Sequence, residues 1–201
     1  MAFRVCKIGT FLTLLFALPM ALEIDNLLLV WLKNPPPMAS ELCIATLIFI
    51  VIEKLSSGHI TAVNATGKVA KFQTVRGLLR TSVAPLALVL IWLTNSVVAM
   101  SIALPISAII VVLGDVYLAQ TSAGLSIRYW IKRVVLPIMI IVLITILIGF
   151  LPGLIFSNPW LRLLLTSAIS VVVMLFLGWF FLLDSDEKIF IIEKLNGKRG
   201  K

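Results

Sequence analysis

The sequence predicts an all-α integral membrane bundle of six transmembrane helices with both termini on the cytoplasmic side. Three observations predict it. Of 201 residues, 61% are hydrophobic and 13% charged, against about 25% charged in an ordinary soluble domain. The apolar residues gather in recurrent runs of roughly 18 to 25, each long enough to cross a hydrocarbon layer about 30 Å thick. The basic residues fall on one side of those runs.

The spans run over 8–32, 40–63, 78–95, 97–119, 134–156 and 161–183, so that 1–183 is a transmembrane helical domain and 184–201 a basic cytoplasmic tail. Arg4 and Lys7 ahead of an apolar stretch resemble a secretory leader, but the stretch resumes at Leu27 instead of ending at a cleavage site, so it reads as a first membrane helix. Asn34 and Pro35 to Pro37 separate it from the second, because proline lacks an N–H and disfavours a helical predecessor. A basic segment from Asn64 to Arg80 precedes the third span, and Thr94 and Asn95 turn the chain into the fourth. A second basic segment, Gln120 to Arg133, leads to the fifth. Ser157, Asn158 and Pro159 open the sixth.

With the N-terminus inside, fourteen of the 17 Lys and Arg fall on inner segments: Arg4, Lys7, Lys68, Lys71, Arg76, Arg80, Arg128, Lys132, Arg133, Lys188, Lys194, Lys198, Arg199 and Lys201. Lys33 and Arg162 are outer, and Lys54 lies within a span. This asymmetry is the positive-inside pattern. It accounts for the net charge of +8 without a nucleic-acid partner. The tail from Lys194 to Lys201 is read as a stop-transfer flank, with contact to anionic lipid as the alternative. Cys6 and Cys43 lie in apolar surroundings and suggest neither a disulfide framework nor a metal pair.

Ionisable groups within spans are costly, at least about 2.5 kcal/mol at the bilayer centre, and so mark candidate sites. Thr46, Glu53, Ser57 and Asn64 are spaced by seven, four and seven residues. On a helix they form one stripe roughly 40° wide, which suits a water-filled cavity or a hydrogen-bonded seam. Lys54 stands about 100° round the helix from Glu53. Glu23 and Asp25, near the outer end of the first span, are either solvated at headgroup level or part of a cavity. Asp115, at the inner end of the fourth span, is expected to pair with Lys68, Arg128 or another inner basic residue. The single histidine, His59, has no ligands at metal spacing and reads as a satisfied or interfacial side chain.

Pro19, Pro85, Pro105, Pro137 and Pro152 fall inside spans and suggest kinked or broken helices whose freed carbonyls neighbours satisfy. Gly149 and Gly153 allow close helix contact. Nothing in the spacing assembles a nucleophile with a base, a phosphate loop or a metal cluster, so neither enzyme activity nor a cofactor is expected.

Three stretches carry a family resemblance: "PMALEIDNLLLVWLKNPPP" from Pro19 to Pro37, "NATGKVAKF" from Asn64 to Phe72 with Gln73 after it, and "DSDEKIFIIEKL" at the end, with Pro85 at a mid-helix position. In this order and spacing the chain resembles the polysaccharide and oligosaccharide flippases of the multidrug/oligosaccharidyl-lipid/polysaccharide exporter superfamily. The final stretch departs from the pattern in lacking its Gly-Leu and arginine. The resemblance implies a multi-pass protein of the cell inner membrane that moves lipid-linked saccharide precursors across it. Such proteins have about twelve to fourteen helices in two lobes, and this chain matches about the last six of fourteen. The resemblance therefore implies a need for the missing N-terminal helices or a partner chain. A phosphate-linked head group makes Lys54 the expected contact, and Glu53 the expected coupling residue. The competing readings are a drug or small-molecule exporter of the same superfamily and a self-contained six-helix membrane scaffold.

Overall fold

The structure is a computed structural model that describes residues 1–67, 69–96, 98–156, 158–184 and 187–189. The chain is all-helical, with no strand among the described residues. Its helices are α1 (Ala2–Leu22), α2 (Ile24–Leu32), α3 (Ala39–Lys54), α4 (Ser57–Ala65), α5 (Val69–Thr81), α6 (Val83–Thr94), α7 (Ala99–Ala123), α8 (Ile127–Trp130), α9 (Leu136–Gly149), α10 (Leu151–Ile155) and α11 (Pro159–Leu177). Two π-helical turns, π1 (Ile131–Val135) and π2 (Gly178–Leu182), continue α8 into α9 and close α11.

Among the described residues five stretches, against the six spans expected, are long and apolar enough to cross a membrane: Ala2–Leu22, Val69–Thr94, Ala99–Ala123, Ile127–Ile155 and Pro159–Leu182. The chain is therefore a multi-pass helical membrane protein by the length and apolarity of its helices. Four of the spans differ clearly from the sequence reading. The one expected over 134–156 begins at Ile127. The span expected over 8–32 begins at Ala2 and stops at Leu22, where Glu23 leaves helical geometry (φ −121°). The span expected over 78–95 is helical from Val69, with a break at Ser82. That break has a local cause: Pro85 has no N–H to offer the carbonyl of Thr81.

The span expected over 40–63 is two helices, α3 of 16 residues and α4 of nine. Neither alone reaches the roughly 20 residues of an ordinary crossing. Leu55 and Ser56 part them, just ahead of Ser57 and Gly58, a weakly helical pair that also serves a tertiary contact. Gly58 packs so closely on the start of α1 that a Cβ there would lie 1.9 Å from the Ala2 carbonyl oxygen. Ser56 turns its hydroxyl away from α4 toward α7.

Helix α7 packs against α3, α4, α5 and α6, and α1 packs against α3, α4, α9 and α11. Small residues let α7 sit deep: Ala103, Ala108 and Ala119 are fully buried, and a Cβ on Gly114 would lie 2.2 Å from the Leu79 side chain. Gly149 does the same for α9, against Leu22 and Ser170. The core between the two groups of helices includes Leu14, Leu18, Val112, Trp130, Ile141 and Met174. The stretch Val69–Thr94 is the least covered, with 6% of its apolar window buried. In a bilayer lipid solvates such a face, so its exposure carries no penalty.

The contacts define two ends. Arg4 and Lys7 meet Asp184 and Glu187 at one, and Arg133 joins them. Glu23 meets Arg162 at the other, the whole length of α1 away, about 30 Å at 1.5 Å per residue. Arg4, Lys7 and Arg133, from two of the basic segments, thus share one end of the bundle. The expected tail over 184–201 lies largely outside the described residues.

Candidate functional site

The break between α3 and α4 places a polar network inside the bundle. Asp115, in the second half of α7, is 0% exposed. Ser56 Oγ, at the turn between α3 and α4, donates to its Oδ2 at 2.9 Å. Arg76 of α5 donates from Nε to Oδ2 at 3.2 Å and lies equally near Oδ1, which has no hydrogen bond of its own. The Nη2 of Arg76 lies 3.9 Å from Glu53 Oε1. Arg80, one turn further along α5, donates from Nη2 to the same oxygen at 2.5 Å. Residues four apart share a helix face, so Arg76 and Arg80 point the same way by construction.

Two carboxylates and two guanidinium groups make the network neutral in formal charge. The balance offsets the cost of holding charges among membrane helices, since each ion supplies the counter-charge that water would supply outside. The members differ in access. Asp115 is sealed, while the side chains of Glu53 and Arg80 are 20% and 49% exposed. Arg80 and Glu53 border a cleft of about 260 Å³, whose other walls include Phe49, Val83, Leu104 and Ser107. The network runs from a locked interior carboxylate to an accessible arginine.

Of the residues picked from sequence, the structure joins Glu53 and Asp115 through the two arginines. Asp115 has the kind of partner expected of it, a basic residue, and that residue is Arg76. Lys54 is exposed and makes no ion pair among the described residues. The stripe of Thr46, Glu53, Ser57 and Asn64 does not form one lining, because the break at Leu55 and Ser56 divides it. Thr46 is exposed and bonds the Leu42 carbonyl, Ser57 bonds the Lys54 carbonyl, and Asn64 is exposed.

Glu23 and Asp25 part company. Asp25 is exposed and accepts from Ser40 Oγ at 2.5 Å. Glu23 is buried, so the solvated reading does not hold for it. It accepts from Arg162 Nε at 2.8 Å, Thr166 Oγ1 at 3.0 Å and Asn26 Nδ2 at 2.5 Å. Three donors on a carboxylate tie the start of α11 to the junction of α1 and α2.

His59 is fully buried, its ring edge-on to Phe3 and Trp130 at 5.7 Å from each. Its Nδ1 lies 3.5 Å from Cys6 Sγ, which accepts from the Gly58 N–H at 3.2 Å, and its Nε2 has no hydrogen bond. No group of three or more His, Cys, Asp or Glu stands close enough to hold a metal ion among the described residues.

Sequence reasoning missed Arg76, Arg80 and Ser56 as members of the site. The two arginines were counted as topological charge because the segment before the third span read as a loop. Their spacing of four, on what proves to be helix α5, was the available signal. No protein-family model matches the chain, and neither does any curated protein or solved structure.

Proposed function

We propose that this chain is part of a membrane transporter that moves lipid-linked oligosaccharide or polysaccharide precursors across the cytoplasmic membrane, its basic end facing the cytoplasm. It would work together with further helices, in the same or a partner chain, that complete the substrate cavity. The observation that carries this reading is the Glu53–Arg80 pair at the mouth of a cleft, backed by the sealed Arg76–Asp115 pair. Charges held among membrane helices mark substrate or ion pathways, and interrupted helices are tolerated where they line cavities. A phosphate-bearing head group suits an arginine fork better than a carboxylate does. In this reading it draws Arg80 away from Glu53, and Glu53, losing its partner, takes up a proton or cation. The contact role thus passes from Lys54 to Arg80, while Glu53 keeps the coupling role.

Binding tests the first step. With the complete assembly in detergent, Arg80→Gln should bind a lipid-linked oligosaccharide about tenfold more weakly, a factor equivalent to about 1.4 kcal/mol. Arg80→Lys should fall between. Unchanged affinity in Arg80→Gln contradicts the contact role.

The scaffold reading has one observation in its favour: the four charges close on one another, as a structural lock would. Under that reading Arg80→Gln lowers stability and leaves transport by the remaining folded protein unchanged.

A further inference from the structure

A second charged cluster lies outside the proposed transport site, at the end of the bundle where the chain begins. Lys7, in the second turn of α1, is buried, and its Nζ lies 2.8 Å from Glu187 Oε2 and 3.1 Å from Asp184 Oδ2. Arg4 Nε lies 2.6 Å from Glu187 Oε1, and Arg133 Nη1 lies 2.8 Å from Asp184 Oδ1. Two members of the cluster stand in or beside π-helical turns. Arg133 belongs to π1, with its guanidinium 5.7 Å from the Tyr129 ring, and Asp184 follows π2 by two residues. Such turns recur at functional sites because they re-aim side chains out of helical register.

Three cations face two carboxylates here, so the cluster keeps one positive charge in excess. The side chains of Arg4 and Arg133 are 54% and 57% exposed, which leaves each with free N–H donors. They border a pocket of about 300 Å³ with Phe3 and Tyr129. Glu187 is held: the Asp184 backbone N–H also donates to its Oε2, at 3.0 Å. Asp184 is the weaker hold, with its side chain 48% exposed.

Helix α1, which brings Arg4 and Lys7 to the pocket, also carries an apolar track. Val5, Ile8, Leu12 and Phe16 are all exposed, and steps of three and four residues place them along one face of α1. Charged donors at the end of a membrane helix with an exposed apolar stripe below them match an amphiphile with an anionic head and acyl chains.

We propose that Arg4, Lys7 and Arg133 form a binding site for the head group of an anionic phospholipid, which Asp184 occupies in the lipid's absence. A phosphodiester takes Lys7 Nζ and the guanidinium fork of Arg133 in place of the Asp184 carboxylate, and the free N–H groups of Arg4, whose Nε stays on Glu187. Its acyl chains lie along Val5, Ile8 and Leu12. With Asp184 released, Glu187 is the remaining acidic partner of Arg4 and Lys7 among the described residues, so lipid occupancy loosens the join between the end of α11 and the start of α1.

The test uses the full chain, purified in detergent and supplied with phosphatidylglycerol or phosphatidylcholine, with retained lipid counted by native mass spectrometry. Wild type should retain phosphatidylglycerol several-fold more than phosphatidylcholine. Arg4→Gln with Arg133→Gln should bring the two lipids level, and Asp184→Asn should raise phosphatidylglycerol retention several-fold. All three residues are about half exposed, so the variants keep their fold, and helical circular dichroism checks it. Equal phosphatidylglycerol retention in wild type and the double arginine variant overturns the proposal, and so does an unmoved Asp184→Asn. Inorganic phosphate, added as a competitor, should leave bound phosphatidylglycerol in place. If phosphate displaces it, the site serves a soluble anion and the lipid assignment fails.

Discussion

Arg76 stands between two carboxylates from different helices, with Nε 3.2 Å from Asp115 of α7 and Nη2 3.9 Å from Glu53 of α3. One guanidinium on α5 thereby pins three helices. Removing it leaves Asp115 charged and buried with only Ser56 to answer it. Such a loss costs about 3–5 kcal/mol. Arg76→Gln should therefore lower stability by that order in a detergent unfolding titration. Adding Asp115→Asn should recover most of the loss, because a neutral amide needs no counter-ion.

The opposite end has its own lock. Glu23 and Arg162 are 139 residues apart in sequence and 2.8 Å apart in space. Arg162→Ala and Glu23→Gln should each destabilise. Their double mutant should be less damaging than the sum, with a coupling energy of about 0.5–3 kcal/mol. Additive effects measured by the same titration would mean that the pair is not energetically joined.

Two glycine substitutions should have opposite signs. Gly58→Ala pushes a Cβ to 1.9 Å from the Ala2 carbonyl and 2.9 Å from Cys6 Sγ. The first turn of α1 must move, at about 1–3 kcal/mol or more. Gly77 lies inside α5 with open space where its Cβ would be. Gly77→Ala should stabilise by about 0.5–1 kcal/mol through helix propensity alone. Thermal unfolding of the two variants side by side checks both signs.

Glu187 should give the fold an acid limb. Burial acts to raise the value of its carboxyl, but Lys7, the Asp184 N–H and Arg4 together outweigh it and hold the group below its ordinary 4.5. A depressed folded-state value means that the ion pair stabilises above about pH 4.5. That stability is lost as pH falls through the lower folded-state value. Glu187→Gln should flatten this part of the stability–pH curve and leave the neutral region parallel to wild type.

The class of the protein was legible in the sequence because apolar length and charge sidedness are properties of whole segments. The turn at Asn34 to Pro37 and the break before Pro85 were legible for local reasons, since proline removes a specific hydrogen bond. The break at Leu55 and Ser56 had a local signal in Ser57 followed by Gly58 that the apolar run masked, whereas the close contact of Gly58 with Ala2, far away in sequence, was not legible. The candidate site shows the same division. Asp115 announced a need for a basic partner, but only folding selects Arg76 from the available cations. Glu23 stayed open between headgroup solvation and a cavity because Arg162, which pairs with it, lies near the other end of the chain.

The central claim is that the Glu53–Arg80 pair works in translocation. The most direct test is the flipping of a fluorescent lipid-linked oligosaccharide in proteoliposomes that contain the complete assembly, comparing wild type with Glu53→Gln at equal amounts of folded protein. The account predicts a rate reduced by about tenfold or more in the folded protein, the 1.4 kcal/mol scale of one lost charged contact. An unchanged flipping rate would contradict it and leave the network a structural lock.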